Sequence, residues 1–310
     1  VMITFTNQAA EEMRRRLGDG YEGIFIGTIH AYASYLLSAI NFPISKYTSK
    51  ENFDGIIEEV MKHPECRMEV DYCSVDESMD SSPLLWDFIL DYVKPKNYMF
   101  VGDSNQSIYS GWSGSGSLDK FEALVASPDT TTYSLPFNNR NDIAILNYAK
   151  KFIEKNFASL DTSIPVSTKT GEVLEMEYDE SAILKYLDWY KQKGYDYGNW
   201  FILCRTNAQI NELHTYLTAH NIPHDTFKQA ELTTDQLQKK MKDNTVKLLT
   251  IHSAKGLEAD CVMVVGGQKY NDEERRVCYV AATRARHVLI WFKPKKKRRK
   301  KPATNITSWE

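Results

Sequence analysis

Short apolar runs alternate with helix-patterned segments along almost the whole chain, and this alternation limits the possible folds more than any other feature. Residues 1–6, 23–28, 72–75 and 98–101 read as strands, and 7–17, 29–38 and 83–93 as helices. Strands separated by helices of this length build a parallel sheet covered on both faces. A polar loop over 127–132, a helix over 141–156 and a linker-like stretch at 159–171 follow. The pattern then resumes. Strands are expected at 173–178, 200–204, 246–251, 261–265 and 288–292, with helices at 181–193, 209–220 and 272–286. At roughly 150 residues per domain, a chain of 310 residues reads as two α/β lobes. We place them at 1–135 and 136–292, ahead of a basic, disordered tail at 293–310.

Charge is distributed unevenly. The run KPKKKRRKK at 293–301 lies in a tail that holds eight of the 38 Lys and Arg residues and one of the 41 acids. Residues 1–292 therefore carry a net charge of about −10, against −3 for the whole chain. Such a run binds polyanions through released counterions. It also fits a nuclear-import signal, so an intracellular location is expected, in cytoplasm or nucleoid, with the nucleus as the alternative. Cys66, Cys73, Cys204, Cys261 and Cys278 form no CxxC pair and read as reduced structural thiols, not as a zinc site. No apolar run reaches the roughly 18–20 residues of a membrane span, so no membrane partner is expected. The opening VMITFTNQ lacks the features of a signal peptide.

Open parallel sheets bind ligands at the carboxyl ends of their strands. Asp76 and Glu77, with Asp80 close behind, follow one such strand. Adjacent carboxylates there suit Mg²⁺ on one acid and a water polarised by the other, although a turn or helix cap would use the same dipeptide. The polar loop after the next strand carries Gln106, which could sense a terminal phosphate. In the second lobe, TIHSAKGLE at 250–258 has a Ser/Lys/Gly content suited to phosphate or ribose. The helix expected after it carries Arg275, Arg276, Arg284 and Arg286, with Arg276, Val280 and Arg284 on one stripe. A salt-bridged surface helix and an arginine pushed against an interface both fit that stripe.

In this order, the clusters resemble the UvrD/Rep family of superfamily 1 DNA helicases over nearly all of residues 1–292. TFTNQAAEEM at 4–13 resembles motif Ia, GTIHAYA at 27–33 motif Ib, and VDESMDSSPLLWDFI at 75–89 motif II. VGDSNQSIYSGW at 101–112 resembles motif III and FNNRNDIAIL at 137–146 motif IV. CRTNAQINEL at 204–213 resembles the segment between IV and V. TIHSAKGLEAD at 250–260 is similar to motif V, and EERRVCYVAATRAR at 273–286 to motif VI.

The resemblance implies two RecA-like lobes of the P-loop NTPase helicase core, with ATP between them and single-stranded DNA across both. It implies that Asp76 holds Mg²⁺, Glu77 orients and deprotonates water, and Gln106 contacts the γ-phosphate. Arg140 and Arg284 would be arginine fingers. Glu258 would bind the ribose, with Gly256 and Arg205 also on the nucleotide side. Phe5, Tyr109 and Trp112 would stack on bases, while Thr6, His30, Thr250 and His252 would touch the strand. The implied activity is ATP-dependent 3′-to-5′ translocation on single strands and unwinding at single-strand/duplex junctions.

The chain also departs from the family pattern. Ser78 and Met79 replace an aromatic and a Gln after the acid pair. Ser110-Gly111-Trp112-Ser113 replaces Tyr-x-Trp-Arg, and Asn139 stands where an adenine-stacking Tyr is usual. Accessory insertions are nearly absent, and no GxxxxGK[ST] loop occurs in the 310 residues. The first lobe is therefore expected to be incomplete at its N-terminus, the loop coming from a missing segment or a protein partner. The alternative is a non-hydrolysing DNA-binding relative or half of a split helicase.

Overall fold

The computed structural model describes all residues except 21, 48–53, 110–117, 154–162, 228–238, 268–270 and 295–310. The first lobe contains β1 (Met2–Thr4), α1 (Asn7–Leu17), β2 (Ile26–Thr28) and α2 (Ile29–Ala39). After these come α3 (Gly55–Val60), β3 (Tyr72–Val75), α4 (Pro83–Asp87), β4 (Asn97–Phe100) and α5 (Leu118–Val125). Its sheet is entirely parallel, in the order β2-β1-β3-β4. Helices start where the sequence supplies caps. The hydroxyls of Thr6, Thr28 and Ser82 accept the backbone N–H groups of Ala9, Ala31 and Leu85. The helix expected over 83–93 is present but changes character: after α4, Phe88–Val93 widens into a π-helix.

A small parallel pair, β5 (Phe137–Asn138) with β6 (Ile164–Pro165), flanks α6 (Ile143–Lys150). Beyond it lie β7 (Glu172–Glu177), α7 (Glu180–Gln192), β8 (Trp200–Cys204), α8 (Asn207–Ala219) and β9 (His224–Thr226). β10 (Val246–Thr250), β11 (Ala259–Val265), α9 (Asp272–Ala282) and β12 (Ala285–Lys293) complete the second lobe. The sheet runs β7-β12-β11-β8-β10-β9, again all parallel.

Side-chain alternation divides this sheet between two cores. Phe201, Leu203, Val262, Val264, Leu289 and Trp291 pack on one face. Trp200, Ile202, Cys261, Met263, Ile290 and Phe292 pack on the other. Central strands buried on both faces explain why β8 and β11 read as unbroken apolar runs. All five cysteines are free and buried. Among the described residues, no helix is long and apolar enough to cross a membrane.

One sequence expectation needs correction. The helix expected over 272–286 ends at Ala282, so Arg284 and Arg286 are not on it. Ala285 pairs with Ala259 of β11, and the Ala259 N–H donates to the Arg284 carbonyl at 3.0 Å. Sheet pairing thus pulls the chain out of the helix four residues early. Ile108 falls within the first lobe of 1–135 by sequence, yet packs against the second. It is fully buried in the core formed by β8, β10, β11, α6 and α9.

Candidate active site

β3 delivers Asp76 and Glu77 to the carboxyl edge of the first sheet. The Asp76 N–H donates to the Ile3 carbonyl at 2.9 Å, and its Oδ1 accepts the Glu77 N–H at 3.0 Å. Glu77 adopts a left-handed backbone (φ 52°), which costs a non-glycine residue on the order of 1–3 kcal/mol. The structure holds that strain with hydrogen bonds from Ser78 N and Oγ to the Val101 carbonyl, both 2.9 Å. Burial and the neighbouring Glu77 charge push the Asp76 carboxyl above the usual carboxylate range. A desolvated acid of this kind fits a divalent cation. Among the described residues no cluster of three His, Cys, Asp or Glu could hold a metal. Mg²⁺ would thus rest on Asp76 together with water and substrate phosphates.

Met79, one of the departures from the family pattern, has a packing role. It is 1% exposed and clusters with Trp86 and Phe121. Gly102 passes so close that a Cβ there would fall 3.0 Å from both Met79 and Phe121.

The segment after β4 is gripped by the second lobe at four consecutive residues. The Gln106 side chain donates from Nε2 to Asp103 at 2.8 Å, and its Oε1 accepts from Arg284 Nη2 at 3.2 Å. Its carbonyl accepts Lys255 Nζ at 2.9 Å. The Ser107 carbonyl accepts Arg276 Nε at 2.7 Å, and the Ile108 carbonyl accepts His252 Nε2 at 3.2 Å. The Tyr109 hydroxyl donates to the His252 carbonyl at 3.3 Å. Ile108→Ala should therefore cost about 2–5 kcal/mol in urea unfolding. It should also raise hydrogen exchange at the amides of 106–109 more than at β8. Equal change at both would mean that Ile108 is ordinary core.

Arg284 is 1% exposed, and burial pushes its guanidinium down to about 9. It donates to the carbonyls of Val280 (2.9 Å) and Leu257 (3.2 Å), to Thr283 Oγ1 (3.0 Å) and to Gln106. All four acceptors are neutral. Asn141, fully buried, fastens this turn by donating to the carbonyls of Thr283 and Ala285 at 3.1 and 2.5 Å.

Glu258 lies nearby, held by Arg140 Nε at 2.5 Å and by Arg286. These two guanidinium groups outweigh partial burial and hold its carboxyl below the usual range. Gly256 sits in the preceding turn at φ +81°, a conformation that favours glycine. Arg205 is placed elsewhere. It pairs with Glu274 at 2.5 Å, beside His252 rather than Glu258, and its charge adds to the burial that lowers the His252 pKa.

Phe5 and Tyr109 stack on each other at a centroid distance of 5.3 Å. Phe5 also lines a cavity of about 230 Å³ with Thr28, His30 and Asp76. His30 Nε2 bonds Asp54 at 2.8 Å, while burial lowers its pKa. Thr6 is spent on capping α1, and Thr250 Oγ1 bonds Ser253 at 2.8 Å. Trp112 and almost all of the basic tail lie outside the described residues. Sequence reasoning gave Lys255 only a share in a segment suited to phosphate or ribose, and assigned no role to Asn141 or Ile108. The first two stand inside recognised motifs, whereas a lone apolar residue such as Ile108 carries no signal of its own.

Two parallel α/β lobes, as in RecA-like folds, meet over an acid pair, a glutamine and a buried arginine. Residues 225–295 match the family described as UvrD-like helicase C-terminal domain, and residues 1–112 match an AAA domain. These matches make the chain similar to helicases of the UvrD/Rep type of superfamily 1. It is 27% identical over 214 residues to the ATP-dependent DNA helicase PcrA of Staphylococcus aureus, covering 66% of this chain and 29% of that protein. PcrA of Staphylococcus epidermidis is 31% identical over 160 residues, 49% of this chain and 22% of that protein. The chain thus spans less than a third of the curated relatives it matches. A solved C-terminal domain of a possible DNA helicase from Lactobacillus plantarum aligns at a TM-score of 0.37 and 17% identity, covering 50% of this chain and 86% of that one.

Proposed function

We propose that this chain is part of an ATP-driven 3′-to-5′ single-strand DNA translocase that unwinds DNA at junctions. The four-residue grip on Gln106–Tyr109 carries the reading. It joins a nucleotide-side residue, Gln106, to a base-stacking candidate, Tyr109, through a segment the second lobe holds rigidly. Asp76 would hold Mg²⁺, Glu77 would take the proton of the attacking water, and Arg284 would meet the γ-phosphate. Arg140 and Glu258 are already paired, so we assign them jointly to the ribose side and the edge of the phosphates, beside Gly256. Phe5, Tyr109 and Trp112 would receive bases, with Thr6, His30, Thr250 and His252 along the strand. Arg205 would support His252.

We keep 135/136 as the lobe boundary, with residues 106–109 of the first lobe held against the second. The relatives are bacterial, which favours DNA contact over nuclear import for the tail.

The test is single-strand binding and DNA-stimulated ATP hydrolysis, by the chain alone and joined to a phosphate-binding loop. Phe5→Ala should weaken binding by about 1–3 kcal/mol, roughly 5- to 150-fold, for any base sequence. Removing residues 294–310 should flatten the dependence of affinity on salt. Binding without hydrolysis in both forms would identify a DNA-binding relative or half of a split enzyme. Absence of binding would overturn the reading.

A further inference from the structure

Lys255 belongs to the second lobe, in the turn after β10, yet its ammonium lies among residues of the first. Nζ pairs with Asp80 and with Glu77 Oε2 at 3.1 Å, and donates to the Gln106 carbonyl at 2.9 Å. It also sits 5.6 Å from the centroid of the Tyr109 ring. The Lys255 side chain is 6% exposed and that of Asp80 is fully buried. A dry ammonium and a dry carboxylate are tolerated only as partners, and separating them strands both charges. Asp80 is already at that limit, since its Oδ1 has no hydrogen-bond partner. Opening the cleft must break this contact, and closing it must restore it.

We propose that Lys255 is a positioning residue for Glu77, a clasp from the second lobe that aims its carboxylate only when the lobes are closed. This rests on reading Glu77 as the base. Its consequence is that the proton acceptor of the first lobe is set by the lobe that does not carry it. The same ammonium approaches Tyr109, so a shift of the stacking ring on DNA is felt at the acid pair.

The test needs no nucleotide. Spin labels at Ser38→Cys in α2 and Lys185→Cys in α7 report the distance between lobes. The side-chain carboxyl ¹³C signal of Glu77, identified by its loss in Glu77→Gln, reports the base. Lys255→Met should broaden and lengthen the distance distribution and shift the Glu77 signal, while Lys255→Arg should restore the narrow distribution. Should Lys255→Met fail to fold, Asp80→Asn removes the clasp from the other side and should give the same broadening. An unchanged distribution and an unchanged Glu77 signal would overturn the proposal. Neither readout depends on hydrolysis, so an inactive protein with these responses intact would count against the functional reading alone.

Discussion

Glu77→Gln, in a protein that joins this chain to a phosphate-binding loop, should lower DNA-stimulated ATP hydrolysis by about 10²–10⁴-fold, the usual contribution of a positioned base. Affinities for nucleotide and single-stranded DNA should stay within about twofold, because the amide keeps the shape of the carboxylate and loses only its basicity. The geometry supports that separation. The Glu77 main chain is held by its left-handed conformation and by hydrogen bonds from Ser78, which the amide leaves in place. Single-turnover hydrolysis and equilibrium binding on the same preparations would show it. Hydrolysis at the unsubstituted rate would remove Glu77 from the chemistry, and lost nucleotide binding would make it a ligand instead.

The place of the acid pair was legible because β3 ends where its apolar run ends, which puts the next two residues at the carboxyl edge of a parallel sheet. β8 matches its sequence reading residue for residue, since a strand buried on both faces leaves an unbroken apolar signature. What could not be read was set by partners distant in sequence. Residues 272–286 keep helical periodicity past Ala282, and nothing local says that Ala285 must pair with Ala259. The grip on Gln106–Tyr109 is equally silent. Its acceptors are mostly main-chain carbonyls, identical in every residue, and its donors lie about 150 residues away. Arg140 and Glu258 were each assigned a ligand, yet each is the other's partner across 118 residues.

Removing the Arg284 charge should act on activity and stability in opposite directions. A buried guanidinium that donates to neutral oxygens alone is costly, because no carboxylate pairs with it directly to offset its desolvation in full. The lowered guanidinium pKa expresses the same cost. Arg284→Met keeps much of the side-chain volume and drops the charge. It should leave the melting temperature of the nucleotide-free chain unchanged or higher, as replacing an uncompensated buried ion with an apolar group does. In a protein completed with a phosphate-binding loop, the same substitution should cut hydrolysis on the order of 10³–10⁵-fold, the range for arginine fingers. Such a split marks a charge held in readiness for an anion, with stability given up for function. Calorimetry on the chain and hydrolysis by the completed protein measure the two halves separately. Arg286→Met is a poor control, since Arg286 pairs with Glu258 and faces Asp260. Arg275→Met is better: it lies near the start of α9, outside the grip on Gln106–Tyr109, and should change neither quantity. A strongly destabilised Arg284→Met would mean the guanidinium is structural, held by its four acceptors for the fold alone. Normal hydrolysis in a stable Arg284→Met would show that the phosphate is met by some other group.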